Sequence, residues 1–388
     1  MTFLSESSVP FDPPTYPYDR LAPIEAVAAA LPGGAVDLSI GTPCDPPPPG
    51  VIAALAASGA ERGYPASIGS TRLIESAAGW ISRRFGVELD TSQIAACIGT
   101  KEFVAGVPHW LRLRQPDKDT VLYPATAYPT YEMGAFLAGC RAVAIPPRAD
   151  GSLALDLVAE ADAERALCLW VNSPSNPTGA LDDLAAAASW GRAHGVPVFS
   201  DECYAEFTWE GPPRSILEHG SEGLVAVHSI SKRSNCAGLR LGFYAGDAEL
   251  VHYLIELRRH AGYMVPGPIQ LAGAVALDDD VHVDEQRARY RRRLERFGEI
   301  LAGIGITAEM PAGGFYLWVA APADDSGDLR EPGEGPEWAL TRRLAAAGGC
   351  LVSPGEFYGT TGVGFVRIAL VQPDERIELV ASRLDGLD

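Results

Sequence analysis

Apolar residues in this chain gather in two kinds of run. Short stretches in which nearly every position is apolar occupy residues 120–123, 141–145, 166–171, 196–200 and 224–228. Runs of this length predict strands buried on both faces of a sheet. Between the third and fourth, residues 182–194 form an Ala-rich stretch that begins at an Asp and stops at Gly195, the signals of a helix. That is a strand, helix, strand unit. Repeated from about residue 50 to 280, it predicts an α/β fold whose sheet is parallel or mostly parallel, with helices on both faces and a ligand site at the carboxyl ends of the strands.

Beyond this region Val283, Tyr290, Leu294, Phe297 and Leu301 recur at helical spacing and predict a long amphipathic helix to about residue 303, suited to connect two lobes. Its Arg-rich stretch, 287–296, reads as the solvated face of that helix rather than a phosphate or nucleic-acid patch. A strand at 314–320, an acidic Gly-rich loop at 321–337, a helix near 338–347 and a strand at 365–370 complete the pattern. The loop reads as a surface insertion in preference to a lid. At the other end, the chain up to about Pro49 is rich in Pro and closes with Cys44-Asp45-Pro46-Pro47-Pro48-Pro49, which predicts an extended arm rather than a packed element.

A chain of 388 residues exceeds what one hydrophobic core supports, so two domains are expected. Residues 44–283 read as the larger, with 1–43 and 284–388 as an N-terminal arm and a small C-terminal domain. The net charge of -19 argues against nucleic acid or anionic lipid as partner and for a small molecule. No apolar run reaches the roughly 18 to 20 residues that span a bilayer, and the first residues lack the basic-then-apolar pattern of a secretion signal. A soluble, cytoplasmic protein is expected. The seven Cys include no C-x-x-C pair and the seven His no H-E-x-x-H, so neither a disulfide framework nor a metal site is expected.

Candidate chemistry centres on Ser229-Ile230-Ser231-Lys232, which follows the strand at 224–228 and precedes Gly238-Leu239-Arg240-Leu241-Gly242. Two hydroxyls and an Arg beside a Lys at a strand's carboxyl end are the parts needed to hold a phosphate and place an amine next to it. A Lys among cations or apolar groups loses its proton near neutral pH and attacks aldehydes. Gly99-Thr100-Lys101-Glu102, where a strand at 94–98 gives way to a helix, points backbone N-H groups at an anion. Arg367 lies inside an apolar strand, costly unless a carboxylate answers its fork, whether that of a substrate or of an internal ion pair.

The S-x-S-K-x(5)-G-x-R-x-G spacing around Lys232 resembles the cofactor-lysine signature of the class I aminotransferases, of the fold-type I family that depends on pyridoxal 5'-phosphate (PLP). The resemblance continues through Asn172-Ser173-Pro174-Ser175-Asn176-Pro177-Thr178-Gly179, with Ser173 where Pro or Asn is usual, and Asp201-Glu202-Cys203-Tyr204. It implies a large PLP-binding domain with a mostly parallel seven-stranded sheet flanked by helices, plus a smaller α+β domain. It further implies that Lys232 carries the cofactor as a Schiff base, that Asp201 pairs with the pyridine nitrogen, and that Asn176 and Tyr204 reach the phenolate oxygen. Gly99, Thr100, Lys101, Ser229, Ser231 and Arg240 become phosphate contacts. Tyr128, in Pro124-Ala125-Thr126-Ala127-Tyr128-Pro129-Thr130-Tyr131, stacks on the ring, Arg367 grips the substrate α-carboxylate, and Gly41, in Ser39-Ile40-Gly41-Thr42-Pro43, lets the backbone approach that carboxylate. Tyr64 matches a residue that reaches the phosphate of the neighbouring subunit, which implies a homodimer.

The resemblance therefore implies amino-group transfer between amino acids and 2-oxo acids. The whole chain, with Tyr16-Pro17-Tyr18-Asp19-Arg20-Leu21 near its start, looks most like the actinobacterial N-succinyldiaminopimelate aminotransferases of lysine biosynthesis, which implies glutamate as donor and an elongated dicarboxylate as the other substrate. An aspartate or broad-specificity aminotransferase, a carbon-sulfur lyase on the same scaffold and a non-enzymatic PLP-binding regulator are the alternatives.

Overall fold

The fold is taken from a computed structural model, which describes residues 12–322 and 329–385. Its strands are β1 (Val36–Asp37), β2 (Ile94–Cys97), β3 (Thr120–Pro124), β4 (Arg141–Ile145), β5 (Ala166–Asn172), β6 (Val198–Asp201), β7 (Leu224–Ser229), β8 (Gly242–Gly246), β9 (Tyr316–Ala320), β10 (Cys350–Leu351), β11 (Ser353–Pro354) and β12 (Phe365–Ala369). Seven of them form the central sheet in the order β2-β8-β7-β6-β5-β3-β4. β8 alone runs antiparallel to its neighbours; β7, β6, β5, β3 and β4 are parallel.

All seven residues of β5 and all six of β7 are buried, as unbroken apolar runs require when helices cover both faces. One cover is built on Trp80, Ile81 and Leu277, the other on Phe103, Tyr131 and Leu254. The predicted crossover helix is Leu184–His194; Asp183 caps it and Gly195 ends it with φ +62°. Asp182, expected at the helix start, instead turns inward and accepts from Leu153 N at 3.1 Å.

A second core surrounds the three-stranded sheet β11-β12-β9, with Tyr290, Leu294, Phe297 and Leu301 packed on it from the long helix Val281–Gly303. That helix runs through the expected boundary at 283/284. Its Arg-rich stretch departs from a solvated face: Arg293 is buried and donates to Asp45 and Asp374, and Arg287 donates to the carbonyl of Thr208. The loop expected at 321–337 lies partly outside the described residues.

The N-terminal segment corrects the expectation of an extended arm. Residues Pro17–Leu21 form a 3-10 turn, Ala22–Ala29 an α-helix, and β1 pairs in parallel with β10. The Pro-rich stretches flank this region, while Leu21, Ile24 and Ala28 recur at helical spacing and bury against Trp338 and Phe357. Apolar periodicity outweighs local Pro content here, because Pro23 falls in the first helical turn, where it is tolerated. Among the described residues no helix is long and apolar enough to cross a membrane. Five of the seven Cys are buried; Cys44 is exposed and Cys203 lines the site described next.

Candidate functional site

The carboxyl ends of β5, β6 and β7 open into a cavity of about 260 Å³, closed on its far side by β9, β12 and the N-terminal segment. Twelve of the fourteen residues singled out from the sequence line it: Gly41, Thr100, Lys101, Tyr128, Asn176, Asp201, Tyr204, Ser229, Ser231, Lys232, Arg240 and Arg367. Gly99 and Tyr64 do not.

The floor is set by strand register. Asn172 and Asp201 are paired residues at the ends of β5 and β6. Asn172 Nδ2 donates to the Asp201 carbonyl at 2.8 Å, and its Oδ1 accepts from Asn176 N at 2.8 Å, which turns the Asn176 side chain into the cavity. The Asp201 carboxylate accepts from Tyr131 Oη at 3.0 Å and from Cys203 N at 3.2 Å. Burial raises its pKa, and these two donors oppose the rise by favouring the charged form. The bare strand-end Asp seen in the sequence therefore has partners, one from a helix 70 positions earlier and one from the backbone two residues on.

Lys232 owes its position to a single turn. β7 ends at Ser229, whose Oγ caps the short helix Ile230–Arg233 by accepting from Ser231 N at 3.0 Å. The turn throws the Lys232 side chain back over the strand ends, where Nζ donates to the Gly41 carbonyl. Burial, then the cations of Arg367 and Arg240, push its pKa down to about 8. The amine is thus poised to lose its proton near neutral pH.

At one end of the cavity Thr100, Ser229 and Ser231 bring hydroxyls together with the Arg240 guanidinium. Arg240 takes the left-handed conformation at φ +52°, uncommon for a residue with a Cβ. Its guanidinium occupies the space that a Cβ on Gly99 would fill, at 2.4 Å from Nη2. Gly99, φ +72°, therefore serves this end from beneath, as the N-cap of the helix Thr100–Arg114. Lys101 lines the same cavity, its Nζ 5.3 Å from the Tyr16 ring centre and 5.8 Å from that of Tyr128.

At the other end lies Arg367, 2% exposed. Nη1 donates to Asn176 Oδ1 at 2.8 Å; Nη2 donates to Tyr18 Oη at 3.2 Å and to the Ser39 carbonyl. The rings of Tyr316 and Tyr358 lie 4.3 and 4.8 Å from its centre. Nε has no partner, and no carboxylate among the described residues answers the charge. An internal ion pair, one of the two readings of this Arg, is thereby set aside. Gly41 is required at this end, since a Cβ there would stand 2.1 Å from the Tyr316 hydroxyl. Tyr204 donates to or accepts from that same hydroxyl at 2.8 Å.

The arrangement fits a phosphorylated pyridine aldehyde followed by a carboxylate. Hydroxyls and a guanidinium suit a phosphate, Asp201 a ring nitrogen, the Lys232 amine an aldehyde, and the unanswered Arg367 a carboxylate. Tyr64 is 98% exposed and outside the cavity. Sequence reasoning passed over Tyr316, Tyr131 and Cys203 as site residues, and used Tyr18 only as part of a pattern. Tyr316 had no local signal; Tyr131 and Cys203 lay inside motifs already in hand.

Comparison with known proteins agrees. The family model of the class I and II aminotransferases matches residues 34–384. A probable aminotransferase of Mycobacterium tuberculosis is 41% identical over 96% of this chain and 85% of its own length. A 4-dedimethylamino-4-oxo-anhydrotetracycline transaminase of Streptomyces rimosus is 40% identical over 96% of this chain and 99% of its own. Among solved structures, a probable N-succinyldiaminopimelate aminotransferase of Thermus thermophilus superposes with a TM-score of 0.82 at 32% identity, covering 95% of this chain and 98% of that one. The chain belongs to the class I and II aminotransferases, PLP-dependent enzymes of fold type I that act on amino acids and 2-oxo acids.

Proposed function

We propose that the enzyme moves an amino group between glutamate and 2-oxoglutarate on one side and N-succinyl-LL-2,6-diaminopimelate and N-succinyl-2-amino-6-oxopimelate on the other, in a ping-pong cycle. The observation that carries the chemistry is the Lys232 amine, with its pKa down to about 8, in one cavity with an Arg367 that no carboxylate among the described residues answers. The likeness to the Thermus protein supports the substrate.

In this reading Arg367 binds the α-carboxylate by its fork, with the Gly41 backbone close beside it. Lys232 Nζ takes the proton from the substrate α-carbon and returns it, serving as base and then acid. Asp201, held by Tyr131 and Cys203, keeps a ring nitrogen protonated. Asn176 and Tyr204 would donate to the phenolate oxygen, Tyr128 would cover the ring, and Gly99, Thr100, Lys101, Ser229, Ser231 and Arg240 would hold the phosphate. When bound, PLP supplies the aldehyde carbon and an electron-poor ring that accepts the electron pair left at the α-carbon. Residues 44–283 serve as the PLP-binding domain, and 1–43 with 284–388 as the small domain. Tyr64 completes the phosphate end of a second copy in a homodimer; mixing Tyr64→Phe with Lys232→Ala subunits would then restore activity that neither variant has.

A second reading takes the Streptomyces relative as guide: the exposed Tyr16, its ring 5.5 Å from that of Tyr18, offers an aromatic surface at the cavity lining for a large polycyclic ketone. The test is the visible absorption of the holoenzyme as glutamate, aspartate and N-succinyl-diaminopimelate are added singly, without acceptor. Loss of the lysine-linked band with glutamate and the succinylated compound, but not aspartate, supports the proposal. A response mainly to aspartate moves the assignment to aspartate aminotransferase. Glutamate alone, with turnover of a tetracycline-type ketone, supports the second reading.

A further inference from the structure

The buried guanidinium of Arg367 is aimed by a residue from the opposite end of the chain. Tyr18 lies 349 positions away, on the 3-10 turn Pro17–Leu21. That turn is fastened to the body of the protein by three contacts. Leu21 is buried beside Trp338 and Phe357, Arg20 lies over the Trp338 ring at 4.5 Å and pairs with Glu356, and the Tyr18 ring packs on Phe357 at 5.4 Å. The turn's place is therefore fixed independently of the Tyr18 hydroxyl.

The hydroxyl has work of its own. It accepts from Arg367 Nη2 at 3.2 Å and stands 2.8 Å from Tyr358 Oη. A phenol oxygen that accepts from Arg367 can still share a hydrogen bond with Tyr358 in either direction, so guanidinium, Tyr18 and Tyr358 form one hydrogen-bonded chain. Nη1 is held separately by Asn176, and the guanidinium faces Tyr316 and Tyr358. With Nη1 held by Asn176 and Nη2 shared between Tyr18 and the Ser39 carbonyl, the fork is left one orientation.

We propose that Tyr18 is a positioning residue for substrate binding: its hydroxyl, backed by Tyr358, sets the plane in which Arg367 presents itself to a substrate carboxylate, so that the N-terminal turn is part of the binding site. The inference rests on the reading of Arg367 as the carboxylate site. Since every amino acid and 2-oxo acid carries that carboxylate, Tyr18 affects all substrates alike and does not choose among them.

The test uses the holoenzymes of wild type, Tyr18→Phe, Tyr358→Phe and Arg367→Lys. Each is measured for binding of glutarate, a carboxylate that has no amine to transfer, by calorimetry, and for kcat and KM with glutamate and 2-oxoglutarate. Tyr18→Phe keeps the ring and its packing and removes one hydrogen bond to a charged group. It should raise the glutarate Kd and both KM values about tenfold, leave kcat within about threefold, and leave the lysine-linked absorption band in place. Tyr358→Phe, which keeps the ring and removes the hydroxyl behind Tyr18, should give about a threefold rise. Arg367→Lys should exceed both. If Tyr18→Phe leaves Kd and KM within twofold while Arg367→Lys raises them, Tyr18 merely packs and the inference falls alone. A loss of kcat with unchanged KM in Tyr18→Phe also overturns it. If Arg367→Lys itself leaves glutarate binding unchanged, the carboxylate reading fails and takes the inference with it.

Discussion

The floor and the rim of the cavity are built by different means. On the floor, Asn172, Asp201 and Ser229 are the last residues of three neighbouring strands; backbone register pairs Asn172 with Asp201 and Asp201 with Val227, two residues before Ser229. The rim gathers Tyr18, Ser39, Tyr316, Tyr358 and Arg367 from segments hundreds of positions apart, joined mainly by side-chain contacts. A floor residue can be removed while the sheet that carries it stays whole. A rim residue holds its neighbours, so its loss is felt through another side chain.

Predictions that break or sharpen this contrast run from the floor outward. Lys232→Ala should cut turnover with glutamate by at least about 10⁴-fold with an unchanged thermal midpoint, because the turn at Ser229–Arg233 is fastened by backbone and Ser229 rather than by the amine; near-normal turnover would remove Lys232 from its role. Asp201→Asn should lower kcat by about 10²-fold or more, read by steady-state kinetics. Tyr131→Phe, which withdraws only one donor from Asp201, should lower kcat about tenfold at most and move the pH dependence of the lysine-linked band. A larger effect for Tyr131 than for Asp201 would reverse the order of parts on the floor.

The smallest effect belongs to a pair beneath the floor. Glu202 and His228 are buried 3.4 Å apart on β6's end and β7, boxed by Trp80, Phe85 and Phe243. Burial pushes Glu202 up to about 8 and His228 down to about 3. Between about pH 6.5 and 8 the folded state keeps the Glu202 proton that the unfolded chain has lost, so this residue's contribution to stability falls as pH rises through that window. Below about 6.5 His228 opposes it, because the unfolded chain then gains a proton that folding must release. Glu202→Gln should therefore flatten the decline in unfolding free energy between pH 6.5 and 8, measured by denaturant titration. An unchanged slope would place the Glu202 proton elsewhere.

Much of the floor was legible in the sequence because its parts are local. A hydroxyl, a hydroxyl and a Lys within four positions after an apolar run define both the strand end and the chemistry, and residues 172–179 and 201–204 do the same for the neighbouring strands. Legibility failed where a partner comes from elsewhere. Tyr131 was visible inside a motif, yet nothing local marked it as the donor to Asp201. The N-terminal segment was misread because Pro density was weighed over the spacing of Leu21, Ile24 and Ala28, and Arg293 because a charged run on a helix says nothing of Asp45 lying 248 positions away.

By itself the sequence determined the alternation of strands and helices, the order of the central motifs and the residue types gathered at the strand ends, since each depends on periodicity or on neighbours a few positions apart. Tertiary structure alone decided that, among the described residues, Arg367 meets hydroxyls, carbonyls and rings instead of a carboxylate, that Gly99 makes room for Arg240 and Gly41 for Tyr316, and that the turn Pro17–Leu21 reaches β12. Those outcomes depend on where distant backbones cross, and spacing along the chain carries no information about that.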